Sequence, residues 1–304
     1  MRHLIAAALL LTATACASEP EPAPEGWQQK AAAPSKRTEV GAGVLDARIW
    51  VAGGLTESGA SAEVTVYDPA ADRWEDGPNL PEPRHHTAVA GDGERLWVVG
   101  GYTSDNEPSD TVWMIEKDAW TSGPALPEPR AAGALAWDGA RLVYAGGAGP
   151  QGLAGDVFVL QDEQWQRIGG LSTPREHLAA ASDGDGTSWF LAGRTAGLDT
   201  NLADVDVVTG TDVHKAGEVP TPRGGVAGFH APGRGGCVAG GEGTGGTFDE
   251  VECVDADGNG SSLPGLRRSR HGLGAAVVDG VAYTLLGGPE PGLSVADDVE
   301  ALPL

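Results

Sequence analysis

The sequence predicts an all-β fold: a six-bladed β-propeller of four-stranded antiparallel blades, the last blade closed by the N-terminal strand. Three observations predict it. An arginine recurs every 45 to 48 residues, at Arg37, Arg84, Arg130, Arg175, Arg223 and Arg270. A small pair follows each of them 16 or 17 residues later, at Gly53-Gly54, Gly100-Gly101, Gly146-Gly147, Ala192-Gly193, Gly240-Gly241 and Gly287-Gly288. The 304 residues include 47 Gly and 21 Pro, a composition that disfavours long helices. A period in the forties with a diglycine in each unit marks a four-stranded blade rather than a solenoid turn.

The chain divides into three parts. Residues 1–15 read as a lipoprotein signal peptide: Arg2 and His3, the apolar run Leu4 to Leu11, then small residues up to Cys16. The segment Ala13 to Cys16 resembles a bacterial lipobox, which implies that Cys16 is the lipidated first residue of the mature chain. Residues 16–26 are a Pro/Glu-rich tether with nothing to bury, suited to an extended polyproline II spacer. Residues 27–304 hold the six repeats.

Within each repeat, short apolar segments alternate with turns. The second unit reads HHTAVA, a Gly91-Asp92-Gly93 turn, RLWVVGG, a polar loop, DTVWMI and KDAWTSG, the pattern of a four-stranded meander. The first segments are rich in Ala and Gly, as strands converging on a propeller axis must be. Trp74, Trp120 and Trp165 each stand ten residues before the next arginine, and Val213 and Gly260 replace Trp in units four and five. The sixth unit ends one strand short at Leu304, while Trp27 precedes Arg37 by the same ten residues. The stretch Trp27 to Lys30 is therefore expected to supply the missing outer strand and leave no free edge.

The diglycine, the later Trp and the Pro-Arg opening together resemble the Kelch repeat family, over roughly residues 27 to 304. The resemblance implies a propeller scaffold with binding loops, and carries no catalytic residue over.

Composition narrows the function. The net charge of −23 repels phosphate backbones, so nucleic-acid binding is not expected. Cys237 and Cys253 fall symmetrically about the loop Glu242 to Glu250, so they should face each other across a hairpin. In an exported chain a disulfide is expected there, two free buried thiols being the alternative. An acid stands just before each third strand, at Glu63, Asp110, Asp156, Asp204, Glu250 and Asp298. It shares one face of the ring with the six arginines. Two readings follow: a ring of Arg–carboxylate pairs that stitches the blades together, or free arginines (Arg84, Arg130, Arg175, Arg223, Arg270) that hold a carboxylate of a ligand. His85, His86, His177 and His271 sit one or two places after those arginines, and His86 and His177 are added to the candidate ligand-binding set; the simpler reading is a histidine bonded to a loop carbonyl.

No catalytic residue, metal or cofactor is expected. Asp255-Ala256-Asp257-Gly258-Asn259-Gly260 matches half a calcium loop, but Leu266 stands where the bidentate Glu belongs, which favours a hairpin turn. A copper centre of the galactose-oxidase kind would need Tyr, His and Cys together, and none cluster. The variable loops are small and acidic, so a basic or cationic partner or a polar glycan fits them best. The expectation is a monomeric, non-catalytic binding or scaffold module on the bacterial cell envelope, meeting the membrane through its lipid anchor only and recognising a protein or glycan through one face. The alternative is a sugar-acting enzyme like the sialic-acid mutarotases among exported Kelch proteins.

Overall fold

The computed structural model describes residues 26–304. The signal peptide, Cys16 and most of the tether lie outside the described residues. Every regular element among the described residues is a strand. Six four-stranded antiparallel sheets follow the six repeats. Blade one comprises Gly41–Leu45, Arg48–Ala52, Val64–Asp68 and Arg73–Asp76, and blades two to five repeat that order. In blade six, Gly274–Val278, Val281–Leu285 and Val299–Pro303 come from the C-terminus, and the outer strand is Gln28–Gln29.

The expected closure is present. Gln28 faces Ala301 and Gln29 faces Glu300, and Lys30 and Ala33 continue the pairing by donating to Val299 O and Asp297 O. Trp27 is buried among Phe229, Leu266, Leu273 and Leu302, so it ties blade five to blade six. Its indole Nε1 donates to Pro264 O at 2.7 Å. Trp74, Trp120 and Trp165 make the same bond to Ala31 O, Pro78 O and Pro124 O. Each tryptophan thus reaches back to the segment leaving the preceding blade. Val213 and Gly260 have no indole N–H to do so.

The innermost strands are small because neighbouring blades nearly touch. A Cβ on Gly228 would fall against Ala180 O of the adjacent blade. The second residue of each small pair donates its N–H to the carbonyl of the next arginine: Gly54 to Arg84, Gly101 to Arg130, Gly147 to Arg175, Gly193 to Arg223, Gly241 to Arg270 and Gly287 to Arg37. That circle corrects the sixth pair, which is Leu286-Gly287 and not Gly287-Gly288. Leu286, with φ of 58°, takes the left-handed backbone that Gly53 and Gly100 take elsewhere. It is held there by its own burial.

Cys237 and Cys253 are register partners on adjacent strands of blade five and form the expected disulfide. The Asp255 stretch is a hairpin turn. Asp255 Oδ1 accepts from the N–H groups of Asp257 and Asn259, and its Oδ2 accepts from Asn259 Nδ2.

Candidate functional site at the axial mouth

The six arginines belong to the scaffold. All six are buried, Arg37, Arg175, Arg223 and Arg270 completely. Their guanidiniums turn into the blades and donate to main-chain oxygens: Arg37 to Gly53 O and Glu63 O, Arg223 to Val238 O and Glu250 O, Arg270 to Leu286 O and Asp298 O. The expected partner acids mostly offer these carbonyls. Only Arg37–Glu63, at 3.8 Å, and Arg130–Asp156, at 3.5 Å, pair loosely with them among the described residues.

In blades four to six the close carboxylate lies two residues further on: Arg175–Asp206 at 2.8 Å, Arg223–Glu252 at 2.6 Å and Arg270–Glu300 at 3.1 Å. Residues two apart on a strand share a face, and the deeper one meets the guanidinium. Blades two and three carry Val112 and Phe158 at that place. Arg84 and Arg130 turn instead to Glu82 and Glu128 of their own Pro-Glu-Pro-Arg stretch.

The mouth is built by the residues two places after each arginine. Glu39, His86, Ala132, His177, Gly225 and Gly272 form a ring around the axis. His86 N–H donates to Glu39 O, Ala132 to His86 O, His177 to Ala132 O, Gly225 to His177 O and Gly272 to Gly225 O, at 2.8 to 3.1 Å; Val40 closes the circle on Gly272 O. All six positions have positive φ, from 53° to 66°. Glycine takes this backbone without strain, but Glu and His do not. Three blades nonetheless present ionisable side chains here, and three present Ala or Gly. A Cβ on Gly272 would meet Glu39 Oε1, so its smallness makes room for that carboxylate.

These side chains converge. Glu39 Oε2 lies 3.3 Å from His86 Nε2, and His86 Nε2 lies 3.0 Å from His177 Nε2. Glu39 Oε1 lies 3.2 Å from Nδ1 of buried His271. His86 Nδ1 meets His85 Nδ1 at 2.6 Å, and Tyr102 packs against both rings. Around this centre, Arg194 Nη1 donates to Glu242 Oε1 at 2.8 Å, Arg194 Nε lies 3.7 Å from Glu176, and Gly292 N–H donates to Glu242 Oε2. A cavity of about 120 Å³ on the axis is bordered by Glu39, His86 and His177.

The environment separates the ionisation of these groups. Burial pushes His86 down to about 3, neighbouring His177, His85 and Arg194 add to that, and Glu39 only partly opposes it. Burial opposes the charge on Glu39, but the facing imidazoles of His86, His271 and His177 outweigh it and hold the carboxyl well below the usual range. Burial also disfavours charge on His271, yet Glu39 and Glu242 raise it above its ordinary value. Glu176 is lowered in the same manner, by His177 and Arg194 against burial.

A model of the Kelch motif matches residues 36–81 and 83–127. The first two blades carry the Kelch motif. The matched units keep both glycines and the Trp, which units four to six lose at Ala192, Val213, Gly260 and Leu286. No curated protein matches the chain by sequence. The solved structure of YjhT is similar, with a TM-score of 0.73 and 14% identity over 89% of this chain and 96% of that one. At that identity the likeness concerns the fold.

Of the residues singled out from sequence, His86 and His177 stand in the mouth, whereas Arg84, Arg130, Arg175, Arg223 and Arg270 do not. Sequence reasoning missed Glu39, Glu176 and Glu242. Reading the repeats as columns would have found Glu39, in a column otherwise filled by His, Ala and Gly.

Proposed function

We propose that this is a ligand-binding Kelch propeller, exported and tethered to the bacterial envelope through Cys16, that takes a small polar ligand or the tip of a glycan or peptide at the axial mouth. The broken symmetry of the axial ring carries this reading. Repetition favours scaffold, and a site is where repeats differ. Glu39, His86 and His177 place large polar side chains where Ala or Gly stands in the other three blades. The disulfide of blade five is consistent with an oxidising compartment. The wider opposite end of the channel, about 480 Å³, is bordered mainly by small residues, and its His230 is stacked on Trp189.

The test is capture of sugar acids, amines and short peptides on an array. Arg194→Ala should abolish capture, while Arg73→Ala, on the exposed outer strand of blade one, should leave it intact. Equal capture by both would refute the mouth.

A second reading, a sugar-acting enzyme of the mutarotase type, is favoured by one observation. Glu39 and His86 stand 3.3 Å apart at the border of the axial cavity, a carboxylate and an imidazole, the residue types that proton transfer uses. Exchange spectroscopy on sialic-acid anomers decides: interconversion no faster than in buffer excludes it.

A further inference from the structure

The geometry points to a metal site on the axial ring: we propose that Glu39, His86 and His177 hold one divalent transition-metal ion of the zinc class. The ligand-binding reading is not required for this, since the ion needs no organic ligand in order to be held.

Three features carry it. The first is spacing. Donor atoms around a four-coordinate zinc with bonds of about 2.0–2.1 Å stand roughly 3.3 Å apart. Here Glu39 Oε2 and His86 Nε2 are 3.3 Å apart, the two Nε2 atoms are 3.0 Å apart, and all three donors lie within 4.8 Å of one another. The second is outer support. Metal-bound histidines usually direct their other nitrogen at an orienting group. His177 Nδ1 lies 3.3 Å from Glu176 Oε1, and His86 Nδ1 lies 2.6 Å from His85 Nδ1. The free oxygen of Glu39 faces His271 Nδ1, a fully buried ring with neither nitrogen hydrogen-bonded in the described structure. The third is charge and access. Arg194 pairs with Glu176 and Glu242, while Glu39 faces only histidines among the described residues, and the axial cavity leaves a fourth coordination position open to solvent.

The donor set selects the ion. Two imidazoles and one carboxylate suit zinc and its neighbours and exclude calcium and magnesium, which prefer all-oxygen sites. The neighbouring group Glu39, Glu242 and His271 is a poorer candidate. Arg194 and Gly292 N–H already occupy both oxygens of Glu242.

The test uses the full chain carrying Cys16→Ser, purified without a histidine tag, stripped with chelator and titrated with zinc by calorimetry, with calcium in parallel. One zinc per chain and no calcium uptake are expected. His177→Ala and Glu39→Gln should each weaken zinc at least about tenfold, and Glu176→Gln about 10- to 100-fold. His214→Ala, on the exposed outer strand of blade four, should leave it unchanged. Cobalt(II) on the parent chain should give the visible absorption of a four- or five-coordinate ion, bleached by zinc. That spectrum decides the matter should a variant fail to fold. No stoichiometric zinc uptake, uptake that survives in both His177→Ala and Glu39→Gln, or a featureless cobalt spectrum overturns the proposal. None of these results bears on array capture by Arg194→Ala, so the two readings fail separately.

Discussion

Replacing Trp27 by Ala should open the ring at its seam. Trp27 is 4% exposed and packs edge-on to Phe229 with ring centroids 6.3 Å apart. A buried Trp removes about 150–250 Å² from water. At ~25 cal/mol/Å² this corresponds to roughly 4–6 kcal/mol as an upper bound. The indole bond to Pro264 O contributes on the order of 1 kcal/mol. Partial collapse of the cavity brings the expected loss to about 3–5 kcal/mol. For a ring of this size that lowers Tm by roughly 6–10 °C. The loss should also be localised. The outer strand of blade six is only Gln28–Gln29, two residues whose attachment depends on the neighbouring tryptophan. Hydrogen exchange in Val299–Pro303 should therefore rise before that of blade three. Trp165→Ala is the control: it removes the same kind of bond, to Pro124 O, inside continuous chain. A Trp27→Ala melt within a degree of the parent, or exchange that rises uniformly, would refute closure by the N-terminal strand.

Further outcomes are expected elsewhere. Arg175→Ala strands Asp206 in the interior without its cation and should cost about 3–5 kcal/mol in denaturant unfolding; Arg84→Ala should cost less, because the Glu82 it frees is exposed. Reducing the Cys237–Cys253 bridge removes a link across a sequence separation of 16 and should destabilise the ring by about 3 kcal/mol in a melt with and without reductant. Burial opposes the charge on Asp204, but Lys215 and Thr173 outweigh it and lower the carboxyl. The unfolded chain then binds that proton more readily, so this contribution is present above about pH 4 and fades as pH falls through the lowered value. Asp204→Asn should flatten the acid limb of a stability–pH profile.

The fold was legible because it rests on residues whose spacing is mechanical. Gly53 and its equivalents, the tryptophans and the arginines recur wherever a blade must turn or lean on its neighbour. The seam was legible because Trp27 keeps the offset of Trp74. The pairing of the arginines was not, because the choice between Asp204 and Asp206, both acids on one strand face, depends on how deep the guanidinium sits. Leu286 hid the sixth small pair, since a leucine at positive φ is tolerated only where surrounding packing fixes it. The mouth was half legible. His86 and His177 stand out as histidines near arginines. Glu39 looks like one acid among 43 until the ring places it 3.3 Å from His86. Glu176 and Glu242 likewise gain meaning only when Arg194, distant in sequence from Glu242, lies between them.

One paired measurement separates site from scaffold: array capture and thermal melting on the same preparations of Glu39→Gln and Arg175→Ala, with capture read below both melting ranges. Glu39→Gln should lose capture with a smaller fall in Tm than Arg175→Ala, since the amide keeps the side chain's volume and only its charge facing His86 and His271 is lost. Arg175→Ala should melt early while its folded fraction still captures. The opposite pattern, with capture surviving Glu39→Gln and vanishing from folded Arg175→Ala, would place the ligand on the arginines and contradict the axial mouth.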